Sequence, residues 1–200
     1  ISLDEDRLAG IQTTKRSLPA SHVILATPHR ITQRIVARHA RLSRLSSQLQ
    51  QLNDEPVTTL YLRYPPATRL QQPLLGLIGG LSQWIFDRRY CGQPGMMAIV
   101  ISARGEHMRL SREELAGRVC DEMGVYFPHW PAPLDKLVIR EKRATFSCRA
   151  GIDTRRPGHA TAAAGLWLAG DYTANGLPAT LEAAVRSGRQ CARELLRSMK

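Results

Sequence analysis

The stretch most suited to chemistry lies near the end of the chain, where Gly165 to Gly188 reads GLWLAGDYTANGLPATLEAAVRSG. Asp171 follows the short apolar run LWLAG, which predicts a buried strand with a carboxylate at its carboxyl end. Ligands of open α/β sheets lie there, and a carboxylate in that place can hold a hydroxyl. Pro178 is expected in the first turn of the following helix, where its missing N–H costs nothing. Leu181, Ala184, Val185, Gly188, Ala192 and Leu195 are the expected buried stripe of that helix. Its start would present free N–H groups, and the small residues Ala179 and Thr180 allow a ligand to approach closely. Such donors suit a phosphate, or a carbonyl-bearing ring that gathers negative charge. The same residues equally describe a strand, loop and helix that merely close a core, with Asp171 forming an Asx turn.

Other chemistries find less support. The four cysteines, Cys91, Cys120, Cys148 and Cys191, are far apart, with no C-x-x-C pair. They read as buried thiols in a reducing compartment. The six histidines are scattered, and none has the H-E-x-x-H order of a zinc site, so no metal centre is expected. A net charge of +11, from 28 Lys and Arg against 17 Asp and Glu, favours phosphates, acidic proteins or anionic lipid headgroups. The basic residues are dispersed without an aromatic-basic ladder or a helix-turn-helix pattern, so nucleic acid is not an expected partner.

The elements that must position Asp171 emerge from hydrophobic patterning. With 43% apolar residues in 200, the chain can bury a real core. No apolar run approaches the roughly 20 residues of a membrane span, and the opening ISLDEDRLAG lacks the order of an export signal. That opening, from Ile1, reads as the end of one strand, a turn and a second strand, as expected of a fragment whose preceding half is supplied by a longer chain. HVILATP (22–28) predicts a parallel strand covered on both faces. Apolar spacing over Ile31 to Leu52 predicts two short helices that break near residues 39–43.

Alternation in EPVTTLYLRY (55–64) predicts a strand. PLLGLIGG and QWIFDRRY follow as two shorter strands around Gly79 and Gly80, and GMMAIVISA adds another, giving a largely antiparallel sheet. Leu60, Leu62, Leu75, Leu77, Ile85 and Met97 read as core, or else as the lining of an apolar tunnel. Ser111 with Glu114 forms a capping box for a helix with Leu115, Val119 and Met123 on its apolar face and Gly124 at its stop. Alternation resumes from Leu137 to Cys148, and GIDTRRPGHATAAAG (151–165) reads as a loop.

The closing stretch resembles the carboxyl-terminal FAD-binding motif of the flavin-dependent amine oxidase and phytoene desaturase superfamily. That pattern is an apolar strand, Gly-Asp, a short loop, then a Pro-Ala-Thr-hydrophobic-Glu helix ending in Ser-Gly. The resemblance implies an FAD site in which Gly170 and Asp171 face the ribityl or pyrophosphate region. Pro178, Ala179, Thr180 and Leu181 would then lie by the flavin ring. EPVTTLYLRY with QWIFDRR, and REKRATF (140–146), are similar to the squalene-associated FAD-dependent desaturases, also described as hydroxysqualene dehydroxylases. This likeness extends over nearly the whole chain.

The resemblance implies a mixed α/β fold, the carboxyl-terminal portion of a two-domain flavoprotein. Residues 1–54 would belong to the FAD domain, 55–148 to a substrate domain with a mainly antiparallel sheet, and 149–200 to the FAD domain again. It also implies an FAD-dependent oxidoreductase acting on a hydrophobic isoprenoid, with reductive removal of the hydroxyl of hydroxysqualene as the foremost reaction. A cytoplasmic enzyme in peripheral contact with the inner face of the cell membrane would fit such a substrate. The G-x-G-x-x-G turn that opens the family is absent here, so the missing amino-terminal half would carry it and the fragment alone would be inactive. A carotenoid desaturase or an amine oxidase of the same superfamily, and a non-catalytic scaffold domain, are the rival readings.

Overall fold

The computed structural model describes residues 1–199. Three short strands open the chain, β1 (Ser2–Asp4), β2 (Arg7–Gln12) and β3 (Ser17–Pro19), followed by β4 (Val23–Leu25). Two helices come next, α1 (His29–Val36) and α2 (Ser43–Gln50), with the 3-10 turn Ala40–Leu42 between them. The middle holds β5 (Asp54–Arg63), β6 (Leu74–Gly76), β7 (Trp84–Asp87) and β8 (Met96–Ser102), then α3 (Arg112–Tyr126) and β9 (Asp135–Phe146). The chain closes with β10 (Leu166–Leu168) and α4 (Leu181–Ser198). Two compact units result, Ile1–Asn53 with Thr145–Lys200, and Asp54–Ala144.

In the first unit β1, β2 and β3 form an antiparallel sheet in that order, and β10 pairs in parallel with β4, placing Leu166 beside Val23 and Leu168 beside Leu25. All three residues of β10 are buried. Ile24 of β4 is 39% exposed, so the cover on both faces expected of that strand is absent. Gly165 permits the close start of this pair, because its φ is +87° and its carbonyl accepts from the Val23 N–H at 2.9 Å. A Cβ at Gly165 would run into the Ser21 carbonyl. Leu8, Leu25, Val36, Leu42, Leu49, Phe146, Leu166, Leu168 and Tyr172 form the core of this unit.

The second unit is a five-stranded sheet in the order β6-β7-β8-β5-β9. Its register assigns alternate residues to opposite faces. Leu60 lies opposite Ile99, Leu62 opposite Met97, and Ile85 also opposite Ile99. These side chains pack with Leu115, Val119 and Met123 of α3 and are fully buried. Of the two readings of Leu60, Leu62, Ile85 and Met97, core holds and tunnel lining does not. Leu75 and Leu77 are partly buried against the same cluster. The other face carries two rows across four strands, Leu74–Phe86–Ala98–Tyr61 and Gly76–Trp84–Val100–Thr59, in which no residue is charged.

The cap of α3 is the capping box, with the Ser111 hydroxyl accepting from the Glu114 N–H and the Glu114 carboxylate accepting from the Ser111 N–H. The helix runs two residues past the expected stop at Gly124, to Tyr126, and Phe127 closes it by donating its N–H to the Met123 carbonyl. The expectation of buried thiols is also corrected. Cys191 is buried, Cys120 is half-buried, and Cys91 and Cys148 are exposed.

Candidate functional site

The site is built in the first unit from the turn between β10 and α4. Backbone pairing with β4 continues one residue past β10, where the Ala169 N–H donates to the Leu25 carbonyl at 3.0 Å. Gly170 then turns the chain at φ +156°. A closed ring of hydrogen bonds fixes this turn. The Gly170 N–H donates to Ser187 Oγ at 2.9 Å, and the Thr173 hydroxyl donates to the Gly170 carbonyl at 3.0 Å. The two hydroxyls lie 2.8 Å apart, and since the single Thr173 proton is engaged, Ser187 donates to Thr173. Ser187 and Thr173 are both fully buried, so the ring lies out of reach of water.

Asp171 follows, with its side chain partly buried. Desolvation raises its carboxyl above the usual carboxylate range, and the backbone N–H of Tyr172 and the charges of His29 and Arg156 pull the other way. Tyr172 is 1% exposed, and its phenol shares a hydrogen bond with the Thr32 hydroxyl of α1 at 3.1 Å. Burial pushes this phenol up to about 12. The Thr32 hydroxyl also meets that of Thr27 at 2.8 Å, and the His29 ring stands edge-on to Tyr172 with centroids 6.3 Å apart. These contacts tie the turn to the segment that leaves β4.

The helix begins later than the sequence suggests. Thr180 is its N-cap, with Oγ1 accepting from the Ala183 N–H at 3.1 Å, and Leu181 is the first helical residue. Pro178 is therefore outside the first turn and ends the loop instead. Its fixed φ and missing donor suit that approach equally well. Ala179 donates its N–H to Cys148 Sγ at 3.4 Å. The expected buried stripe is rotated too. Ala183, Ser187 and Cys191 are buried, whereas Leu181 is 88% and Val185 58% exposed. A small-residue row brings α4 close to β10, and apolar periodicity pointed to the larger, exposed residues.

Arg156 organises the loop, and the sequence reading missed it. Its guanidinium donates to Asp153 Oδ1 at 2.7 Å, to the Leu177 carbonyl at 2.8 Å, to the Asp171 carbonyl at 2.8 Å and to Asn175 Oδ1 at 2.9 Å. It lies over the Phe146 ring, 5.0 Å from the centroid, and is 5% exposed. Asn175 in turn accepts from the Leu177 N–H and donates to the Ala183 carbonyl in the first turn of α4. Beside Arg156, the Pro157 carbonyl accepts from the Ala174 N–H at 2.8 Å. The segment carrying Arg156 has no periodicity, and among 28 Lys and Arg nothing in the sequence marks this one out.

Gly170 and Asp171 thus open, and Pro178, Ala179 and Thr180 close, one loop held from several sides, and Leu181 begins the helix. Asp171 can accept from a ligand hydroxyl, and the free N–H groups at the start of an 18-residue helix can donate to an acceptor. Glu182 places a carboxylate in that first turn, paired with Arg186, so a neutral carbonyl suits the helix start better than a phosphate. This donor and acceptor set fits the polyol and carbonyl ring of a flavin. No two glycines in the sequence stand two positions apart, so this chain offers no G-x-G-x-x-G cradle for a dinucleotide pyrophosphate.

Known proteins resemble this chain over much of its length. The hydroxysqualene dehydroxylase of Sinorhizobium fredii is 34% identical over 142 residues, which cover 68% of this chain and 31% of that protein. The zeta-carotene desaturase of Synechocystis is 32% identical over 108 residues, covering 52% of this chain and 22% of that protein. The chain therefore spans less than a third of the length of these curated relatives. The crystal structure of an oxidoreductase from Methanosarcina mazei shares the fold, with a TM-score of 0.68, 14% identity, and coverage of 96% of this chain and 47% of that one. The family described as flavin containing amine oxidoreductase matches residues 1–196. The chain belongs to that family, the FAD-dependent flavin containing amine oxidoreductases.

Proposed function

We propose that this chain is the flavin-facing and substrate-binding part of a larger oxidoreductase that reductively removes the hydroxyl of hydroxysqualene, giving squalene for hopanoid synthesis. The observation that carries the reading is the turn at Asp171, a partly buried carboxylate beside a capped helix start, in a chain 34% identical to a hydroxysqualene dehydroxylase. Asp171 would hold a ribityl hydroxyl, and the N–H groups at the start of α4 would face a flavin carbonyl. Reduced FAD supplies the hydride in such chemistry. The balance is one alcohol, one hydride and one proton giving one hydrocarbon and one water, so the carbon–oxygen bond breaks as a carbon–hydrogen bond forms. The chain's own task is to orient the cofactor and to keep water from the reacting carbon.

The two uncharged rows on the sheet of the second unit, next to the row that carries Arg63, support an apolar substrate. Tyr61 and Phe86 flank the buried Ala98, and the Trp84 ring lies over Gly76, so aromatic side chains make up much of this surface. Aromatic and aliphatic surface of this kind suits a polyprenyl chain without a hydrogen-bonding anchor. The net charge of +11 supports uptake of that substrate beside an anionic bilayer. The experiment is anaerobic incubation of the protein, extended to the length of its relatives, with hydroxysqualene and a reductant. Squalene is the expected product. Unchanged hydroxysqualene, together with new conjugated double bonds in a carotene offered under oxidising conditions, would instead favour a desaturase, the reading that the Synechocystis relative supports.

A further inference from the structure

We propose that Arg156 is the positioning residue of the flavin-facing turn and that it acts through Asp171, an inference that rests on the flavin reading above. The peptide between Asp171 and Tyr172 is planar and trans, so its carbonyl and its N–H point in opposite directions. Arg156 Nη2 draws the carbonyl of that peptide inward at 2.8 Å. The Tyr172 N–H is thereby turned outward, to the side on which it favours the charged Asp171 carboxylate. The same nitrogen holds Asn175 Oδ1 at 2.9 Å, and Nη1 holds the Leu177 carbonyl at 2.8 Å, immediately before Pro178. One guanidinium thus fixes both ends of the segment from Asp171 to the approach of α4.

Only a planar fork can make these contacts together, because four bonds leave its two terminal nitrogens for acceptors in separate segments. Packing on Phe146 holds the plane. A lysine would bring charge to the same place and could not span Asp171, Asn175 and Leu177 with the same geometry. Arg156 makes no claim on the ligand itself. Its role is to set the direction in which Asp171 and the loop carbonyls point.

The test uses the protein extended to the length of its relatives, with FAD affinity and amide hydrogen exchange as readouts. Arg156→Met should weaken FAD binding by about tenfold or more, with unchanged far-ultraviolet dichroism and faster exchange confined to residues 171–177. Arg156→Lys should be similarly weak, and added guanidinium should restore affinity to an Arg156→Ala protein. Arg156→Met combined with Asp171→Ala should lose little more than Asp171→Ala alone, because the two act as one unit. Wild-type affinity in Arg156→Met, full rescue by lysine, or additive losses would overturn the proposal. If the wild-type protein binds no FAD, the flavin reading fails instead. Hydrogen exchange still decides the clamp in that case, and an unchanged 171–177 segment in Arg156→Met would sink it.

Discussion

Replacing Ser187 by alanine removes the acceptor of the Gly170 N–H, a donor that the ring with Thr173 holds at 2.9 Å inside the protein. Ser187 is fully buried, so water cannot take over the bond. Leaving a buried donor unsatisfied costs about 1–3 kcal/mol. Alanine is the better helix former by about 0.5 kcal/mol. The net loss is then about 0.5–2.5 kcal/mol, and at roughly 2–4 °C per kcal/mol for a chain of this size the midpoint should fall by about 1–10 °C. Ser198→Ala is the control in the same helix, since its hydroxyl bonds the Leu195 carbonyl in an exposed position. Thermal unfolding followed by circular dichroism compares the two. A Ser187→Ala midpoint equal to or above that of Ser198→Ala would refute the ring as the element that holds the turn.

Asp171→Asn should stabilise the protein as the pH rises. The wild-type carboxyl, raised by desolvation, keeps a proton that the unfolded chain has already released, so wild-type stability falls from about pH 4 upward through the raised value. Asparagine has no such dependence, and melting curves from about pH 4 to 7 should show the variant's advantage growing with pH. Leu60→Ala, at a fully buried position under α3, should cost about 2–5 kcal/mol in denaturant unfolding. Tyr61→Ala, on the opposite face of the same strand, should cost far less and should instead raise KM for the polyprenyl substrate. Ala98→Leu, at a buried position between Phe86 and Tyr61, should displace those rings and raise KM as well, with kcat the less affected quantity.

The strand-loop-helix was legible because its signals are local. The apolar LWLAG run gave β10, the capping box gave α3, and alternation with glycine turns gave β5 to β8. The rotation of α4 was not legible, because Ala183, Ser187 and Cys191 face β10 by being small, while hydrophobicity scales reward Leu181 and Val185. The start of that helix was misplaced by three residues because proline suits both a first turn and the loop before it. Arg156 and Ser187 carry their roles through partners distant in sequence, and no spacing rule reports such partners. Ser187 was visible only as part of a Ser-Gly ending, whose physical reason is the buried bond to Gly170. The two faces of the middle sheet were separable in principle by alternation, yet which of them α3 covers depends on the fold.

Asp171 should hold the flavin. The measurement is the ratio of bound FAD to protein, from the flavin absorbance of the purified protein extended to the length of its relatives. Near-stoichiometric FAD is expected in the wild type, with most of it lost in Asp171→Ala while the dichroism spectrum is unchanged. A folded Asp171→Ala protein that keeps its full complement of FAD would exclude Asp171 as the residue that holds the flavin.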